Sequence, residues 1–317
     1  MRRLLLALLL VLITTSALAQ TDQEGGEFIT VNDADLYYIE RGPADAPVVI
    51  LVHGFGGSTF NWHANIDAVA EAGYRVIAYD RPPYGMADKT PGLDLTGSEQ
   101  AARLAQLMDV LEIQSATLVG HSAGGRTIAT FAATYPQRVD ALVFVAGAVT
   151  VDRGAADGGF SELFAGREIN PDSPIAQGLV RTFLTPERFL SILRSAYYDP
   201  DAVLTPEVEE RYAEILEVEG WEAAFLGLLQ SPLDEAFSRD DLAALNVPVM
   251  LMWGEEDTWV PLAEGVELRE TYFPQALWIT YDDVGHLPME EAPTAFNNDL
   301  LNFLTEVYAV PGRSAQG

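Results

Sequence analysis

Short runs that are apolar at nearly every position punctuate this chain, at residues 48–52, 75–79, 116–119, 141–145 and 247–253, with a less pure one at 277–281. A run with no polar side has no face to give to water, so each reads as a strand buried on both faces. Between them lie helical patterns. Residues 98–111 put Ala101, Leu104, Ala105, Met108 and Leu111 on one stripe, at the i, i+3, i+4 spacing of an amphipathic helix. Residues 126–135 continue as helix until Pro136, and 288–307 align Phe296, Leu300, Phe303, Leu304 and Val307. Strands alternating with helices build βαβ units, which predicts an α/β fold with a doubly wound, mostly parallel sheet. Two further strands are expected at 28–31 and 36–40, around the Asn32-Asp33 turn.

One segment, 151–245, breaks the alternation. It holds no buried-strand run, and Thr185-Pro186-Glu187 and Thr205-Pro206-Glu207 read as helix starts with Thr as N-cap and Pro at the first helical position. The expected organisation is a core in two parts, 20–150 and 246–317, with a helical cap at 151–245 inserted between them. Residues 1–19 read as a signal peptide: Met1-Arg2-Arg3, an apolar run at 4–13, then Ala17-Leu18-Ala19 before the cleavage point. About ten apolar residues are too few to cross ~30 Å of hydrocarbon. The mature chain is therefore expected in the periplasm or outside the cell, with no stable membrane span.

Composition narrows the function. Against 47 Asp and Glu stand only 18 Lys and Arg, a formal charge of −29, which disfavours phosphate backbones and hence nucleic acid. The hydrophobic fraction of 49% is too high for a disordered chain. With no Cys, disulfides, thiolate metal sites and thiol catalysis are excluded.

The chemistry concentrates at Gly120-His121-Ser122-Ala123-Gly124-Gly125, between the run at 116–119 and the helix that follows. This is a G-x-S-x-G turn in the strand-to-helix setting it requires, where residues two away from the Ser must be small. A Ser hydroxyl needs a base, and the base needs an orienting acid. Of four His, His286 follows the last strand and is the best placed base. His121 adjoins Ser122 and is expected to point away, His53 ends a strand, and His63 reads as a surface or packing residue. Asp257, at the end of the preceding strand, is the preferred acid, with Glu255, Glu256 and Asp283 as rivals. Strand ends of a parallel sheet gather at one edge, where ligands bind. The order Ser, Asp, His suits this architecture.

With HGFGGS (53–58), DRPPYG (80–85), GHSAGG (120–125), GEEDTWVP (254–261) and GHLPMEEAP (285–293), the chain resembles the α/β-hydrolase family across residues 28–308. The resemblance implies a Ser122–His286–Asp257 triad and an oxyanion hole from the Phe55 and Ala123 N–H groups, with no cofactor and no metal. Gly54-Phe55-Gly56 is not a dinucleotide fingerprint, because Thr59 stands where a third Gly belongs. Ser122 in place of Asp sets aside dehalogenase and epoxide-hydrolase chemistry, and Gly54-Phe55-Gly56-Gly57 departs from the stretch of proline iminopeptidases. Ring-cleavage C–C hydrolases commonly carry Trp after the catalytic His; here it is Leu287. Ester or lactone hydrolysis through an acyl-enzyme is the expectation, with activity falling in acid as His286 protonates. C–C hydrolysis and cofactor-free perhydrolysis are the alternatives within the fold, acyl transfer shares every motif, and a secreted ligand-binding member is the alternative of another class. Trp62, Tyr84, Phe160, Phe164, Phe189, Trp221 and Phe225 are the candidate pocket residues, suited to an apolar small-molecule ester or lactone.

Overall fold

A computed structural model describes residues 25–147, 149, 169–231 and 237–309; the expected signal peptide and the candidate pocket residues Phe160 and Phe164 lie outside them. Eight strands form one sheet: β1 (Glu27–Val31), β2 (Ala34–Arg41), β3 (Val48–Val52), β4 (Arg75–Tyr79), β5 (Ala116–His121), β6 (Val139–Val145), β7 (Val249–Gly254) and β8 (Leu277–Tyr281). They lie in the order β1-β2-β4-β3-β5-β6-β7-β8. The β1–β2 and β2–β4 pairs are antiparallel, and all the others are parallel. Every residue of β3 and β5 is buried, which is why their sequences do not alternate.

Alternate residues still serve different faces. Val48, Ile50 and Val52 pack with α2 (Gly97–Val110) and α3 (Ala123–Thr134), through Leu104, Ile128 and Phe131. Val49 and Leu51 join the opposite layer with α1 (Ile66–Glu71) and the C-terminal helix, through Val69, Phe296 and Leu300. Burying each such side chain is worth about 1.5–3 kcal/mol.

Between β6 and β7 run α4 (Pro174–Phe183), α5 (Pro186–Arg194), α6 (Pro200–Val203), α7 (Pro206–Ala213), α8 (Trp221–Gln230) and α9 (Arg239–Ala243), with no strand among the described residues. Thr185 and Thr205 each accept the third N–H of their helix, with Pro at its start. Helices α4 and α8 share a small apolar cluster of their own around Val180 and Leu226, whereas Leu242 of α9 packs into the sheet-side core. After β7 come α10 (Leu262–Tyr272) and, past β8, α11 (Pro288–Glu291) and α12 (Pro293–Tyr308). The one helix expected at 288–307 is thus two. Pro293 disfavours helical geometry at Ala292, which sits at φ −128°, ψ 52°.

Candidate active site

Ser122 occupies the turn from β5 into α3 at φ 50°, ψ −123°, a conformation that strains a residue with a Cβ. The turn is held by hydrogen bonds from the Ser122 N–H to Val145 O (3.0 Å) and from the Gly125 N–H to Ser122 O (2.8 Å). A Cβ on Gly120 would lie 2.7 Å from the Gly124 carbonyl, and one on Gly124 only 2.3 Å from Val52 O. Helix α3 therefore starts at Ala123, three residues earlier than its sequence suggested. As its first residue, Ala123 has an N–H with no acceptor inside the helix.

The end of β3 presses against this turn. A Cβ on Gly54 would lie 2.9 Å from Ser122 Cβ, so this backbone packs directly on the Ser122 turn, and the next residue, Phe55, lines the same cavity as Ser122. His53 and Arg81 tie this stretch from behind. His53 Nδ1 donates to Gly54 O (2.8 Å) and Nε2 accepts the Arg81 N–H (3.0 Å). One Arg81 nitrogen donates to both His53 O (2.8 Å) and Gly54 O (3.1 Å). Burial, and then the Arg81 charge, hold His53 well below the ordinary histidine range, so it is neutral and makes both bonds.

The loop after β8 carries His286. Its Nδ1 donates to Asp257 Oδ2 at 2.8 Å, while Asp257 Oδ1 accepts the Trp259 and Val260 N–H groups at 2.8 and 2.9 Å. That acceptor puts the proton on Nδ1 and leaves Nε2 with its lone pair. The His286 N–H donates to Ala196 O (2.7 Å), and His121 Nε2 donates to His286 O (3.0 Å). The imidazole lies between His121 and Trp259, at ring-centre distances of 4.8 and 5.5 Å. Thus His121 leans on His286 and lines the same cavity. Burial first, and the neighbouring His286 second, push its basicity down. The rival acids stand apart: Glu255, Glu256 and Asp283 are exposed, and Glu255 accepts from Thr280 Oγ1. His63 is exposed and caps a short turn through Phe60 O.

Ser122, His286 and Phe55 line one cavity, roofed by Phe189, Trp221 and Phe225 and flanked by Tyr84. Trp62 does not reach it. It is 1% exposed and packs into the core between sheet and helices; on the 3-10 turn Thr59–Trp62 it is the neighbouring Asn61 that faces the cavity. Asn61, Lys89, Tyr212 and Trp259 also line the cavity and were not anticipated. Behind them Glu290 accepts hydrogen bonds from Tyr197 (2.8 Å), Asn61 (3.2 Å) and Tyr212, and burial raises its pKa. Next to it Glu291 accepts the Tyr198 and Gly285 N–H groups at 2.8 and 3.0 Å. Two adjacent acids thereby fasten the inserted helices to the loop that carries His286. Among the described residues no three His, Asp or Glu side chains converge as a metal site.

A model of the alpha/beta hydrolase fold matches residues 47–293. The chain belongs to that family. Among relatives of this hydrolase is a 2-hydroxy-6-oxononadienedioate/2-hydroxy-6-oxononatrienedioate hydrolase of Paraburkholderia phymatum, 28% identical over 92% of this chain and 99% of that one. A bifunctional esterase/perhydrolase of Acinetobacter calcoaceticus is 29% identical, over 87% and 99%. A meta-cleavage product hydrolase from Pseudomonas fluorescens, solved as a mutant with acetates, superposes with a TM-score of 0.73 at 25% identity, covering 89% of this hydrolase and 98% of its own chain.

Proposed function

We propose that this hydrolase is an exported serine enzyme that cleaves carboxylic esters or lactones, with Ser122 as nucleophile, His286 as base and Asp257 as its orienting acid. The observation that carries the reading is the His286–Asp257 hydrogen bond of 2.8 Å on a cavity whose wall also holds the strained Ser122. His286 Nε2 takes the Ser122 proton as Oγ attacks the acyl carbon. The Phe55 and Ala123 N–H groups stabilise the oxyanion, aided by the positive end of α3. His286 then protonates the leaving alcohol, and water activated by the same imidazole releases the acid. Asp257 holds the imidazole in the tautomer this needs and stabilises its cation. Export rests on the leader pattern of residues 1–19.

C–C hydrolysis is the second reading, favoured by relatives named for hydroxy-oxo-dienedioates. Two features weigh for esters. Leu287 follows His286, and Lys89 is the only Lys or Arg among the described cavity residues, a poor match for a substrate with two carboxylates. A panel of p-nitrophenyl esters, lactones and a 2-hydroxy-6-oxo-dienoate tests the choice. Ester or lactone turnover, reduced by ~10⁴ or more in Ser122→Ala, is expected. Turnover of the dienoate without any ester would overturn the assignment.

A further inference from the structure

We infer that Lys89 is the receptor for one anionic group carried by the substrate, away from the bond that is cut; this deepens the ester-hydrolase reading above and rests on it. Lys89 is the only lysine in a chain with 47 acidic residues. Lysines almost never leave the surface without a partner. This one is 8% exposed and lines the same cavity as Ser122.

Its partners are neutral. Nζ donates to Gly85 O at 2.6 Å and Ala87 O at 2.9 Å, which uses two of three donors. Among the described residues no carboxylate lies within ion-pair distance of it. Asp80 and Asp88 act on it from further off. The Asp80 oxygens accept the Thr59 and Met86 N–H groups, both at 2.6 Å. Asp88 Oδ1 accepts the N–H and the hydroxyl of Thr90, at 2.7 and 2.6 Å. Burial lowers the Lys89 pKa only to about 8, so the ammonium is charged at neutral pH. A buried cation without an anion is costly, and a bound anion offsets that cost.

The setting fits a ligand that spans the cavity. A Cβ on Gly220, which opens α8, would lie 3.6 Å from Lys89 Cβ, and the next residue, Trp221, faces the cavity. Lys89 therefore stands where the inserted helices meet the core, with its ammonium anchored on the Gly85 and Ala87 carbonyls of the core loop. Leu184, Phe189, Ile192 and Phe225 make the surrounding wall apolar. An apolar bed with a single cation matches an ester whose acyl or alcohol part ends in one carboxylate, such as a half-ester of a dicarboxylic acid.

The test compares mono-p-nitrophenyl esters of four- to eight-carbon diacids with their terminal amides, equal in length and shape. For the best chain length, the wild-type ratio of kcat/KM, carboxylate over amide, should fall by about 10- to 100-fold in Lys89→Met, whatever loss both substrates share. Lys89→Arg should keep much of the ratio. An unchanged ratio, or equal loss on both substrates, overturns the proposal. In the wild type alone, a ratio no greater than one at every length does so too. If no ester of either kind is turned over, and the wider panel of esters and lactones is not turned over either, the serine-hydrolase reading fails. The anion site is then judged by calorimetry, with hexanoate binding expected to exceed hexanamide binding in the wild type but not in Lys89→Met, and equal binding in the wild type counting against it.

Discussion

Gly54 shows how much of the proposed chemistry hangs on the absence of one methyl group. A Cβ there would sit 2.9 Å from Ser122 Cβ, closer than such atoms approach, and 3.0 Å from His121 Nδ1, tighter than most, so backbone or side chains must move. The groups that would move are the Phe55 N–H, which must face the carbonyl oxygen, and the Ser122 hydroxyl, which must face the carbon it attacks. Loss of one oxyanion donor costs ~10²–10³ in rate. Gly54→Ala should therefore lower kcat on p-nitrophenyl esters by that order with KM nearly unchanged, while the protein stays folded with stability lower by about 1–3 kcal/mol. A wild-type kcat would remove the end of β3 from the oxyanion hole. His53 and Arg81 contribute on the other side of the same backbone: they hold the carbonyls of residues 53 and 54 away from the cavity. Had either carbonyl turned forward, it would repel the developing negative charge.

Among the elements, the short helix α11 links inserted layer and core. Glu290 on α11 accepts hydrogen bonds from Tyr197, Asn61 and Tyr212: one donor from the core turn and two from the insertion. Its carboxylate is buried, and desolvation raises its pKa above the ordinary 4.5. The folded state thus binds a proton more tightly than the unfolded chain, and this contribution to stability grows as pH falls from above the folded pKa toward 4.5. In Glu290→Gln that titration is gone. Urea unfolding from pH 7 to pH 5 should show the wild type gaining stability relative to the variant on acidification, since Glu291 and the surface acids titrate in both. Parallel profiles would show that Glu290 keeps an ordinary pKa. None of this network was legible in the sequence, because Tyr212 and Glu290 lie 78 positions apart and meet only once the insertion folds back. Trp62 failed for a local reason. A loop at a strand edge does not reveal which side of a 3-10 turn faces inward, and a shift of one residue exchanged Trp62 for Asn61 at the cavity. The start of α3 was hidden by Gly124 and Gly125, poor helix formers that are present because the turn packs against β3 and Gly147.

Across the whole molecule, the readable features were those imposed by the backbone. Strands buried on both faces must be apolar throughout, so β3, β4, β5 and β6 announced themselves and with them the parallel sheet. A parallel sheet collects its strand ends at one rim, which brings Asp257 beyond β7 to His286 beyond β8 and sets that imidazole on the cavity of Ser122 beyond β5. Substrate preference has no such backbone signature; it depends on which side chains the inserted helices turn inward, and those emerge only from the three-dimensional packing. For catalysis these three segments must act together to make one serine hydroxyl nucleophilic. Labelling with a fluorophosphonate probe, read by mass spectrometry, measures that property without knowledge of the substrate. The wild type should take up one probe at Ser122 within minutes, His286→Ala should label at least ~10²-fold more slowly, and Ser122→Ala should not label. A wild type that stays unlabelled, or that carries the probe on another residue, would contradict it.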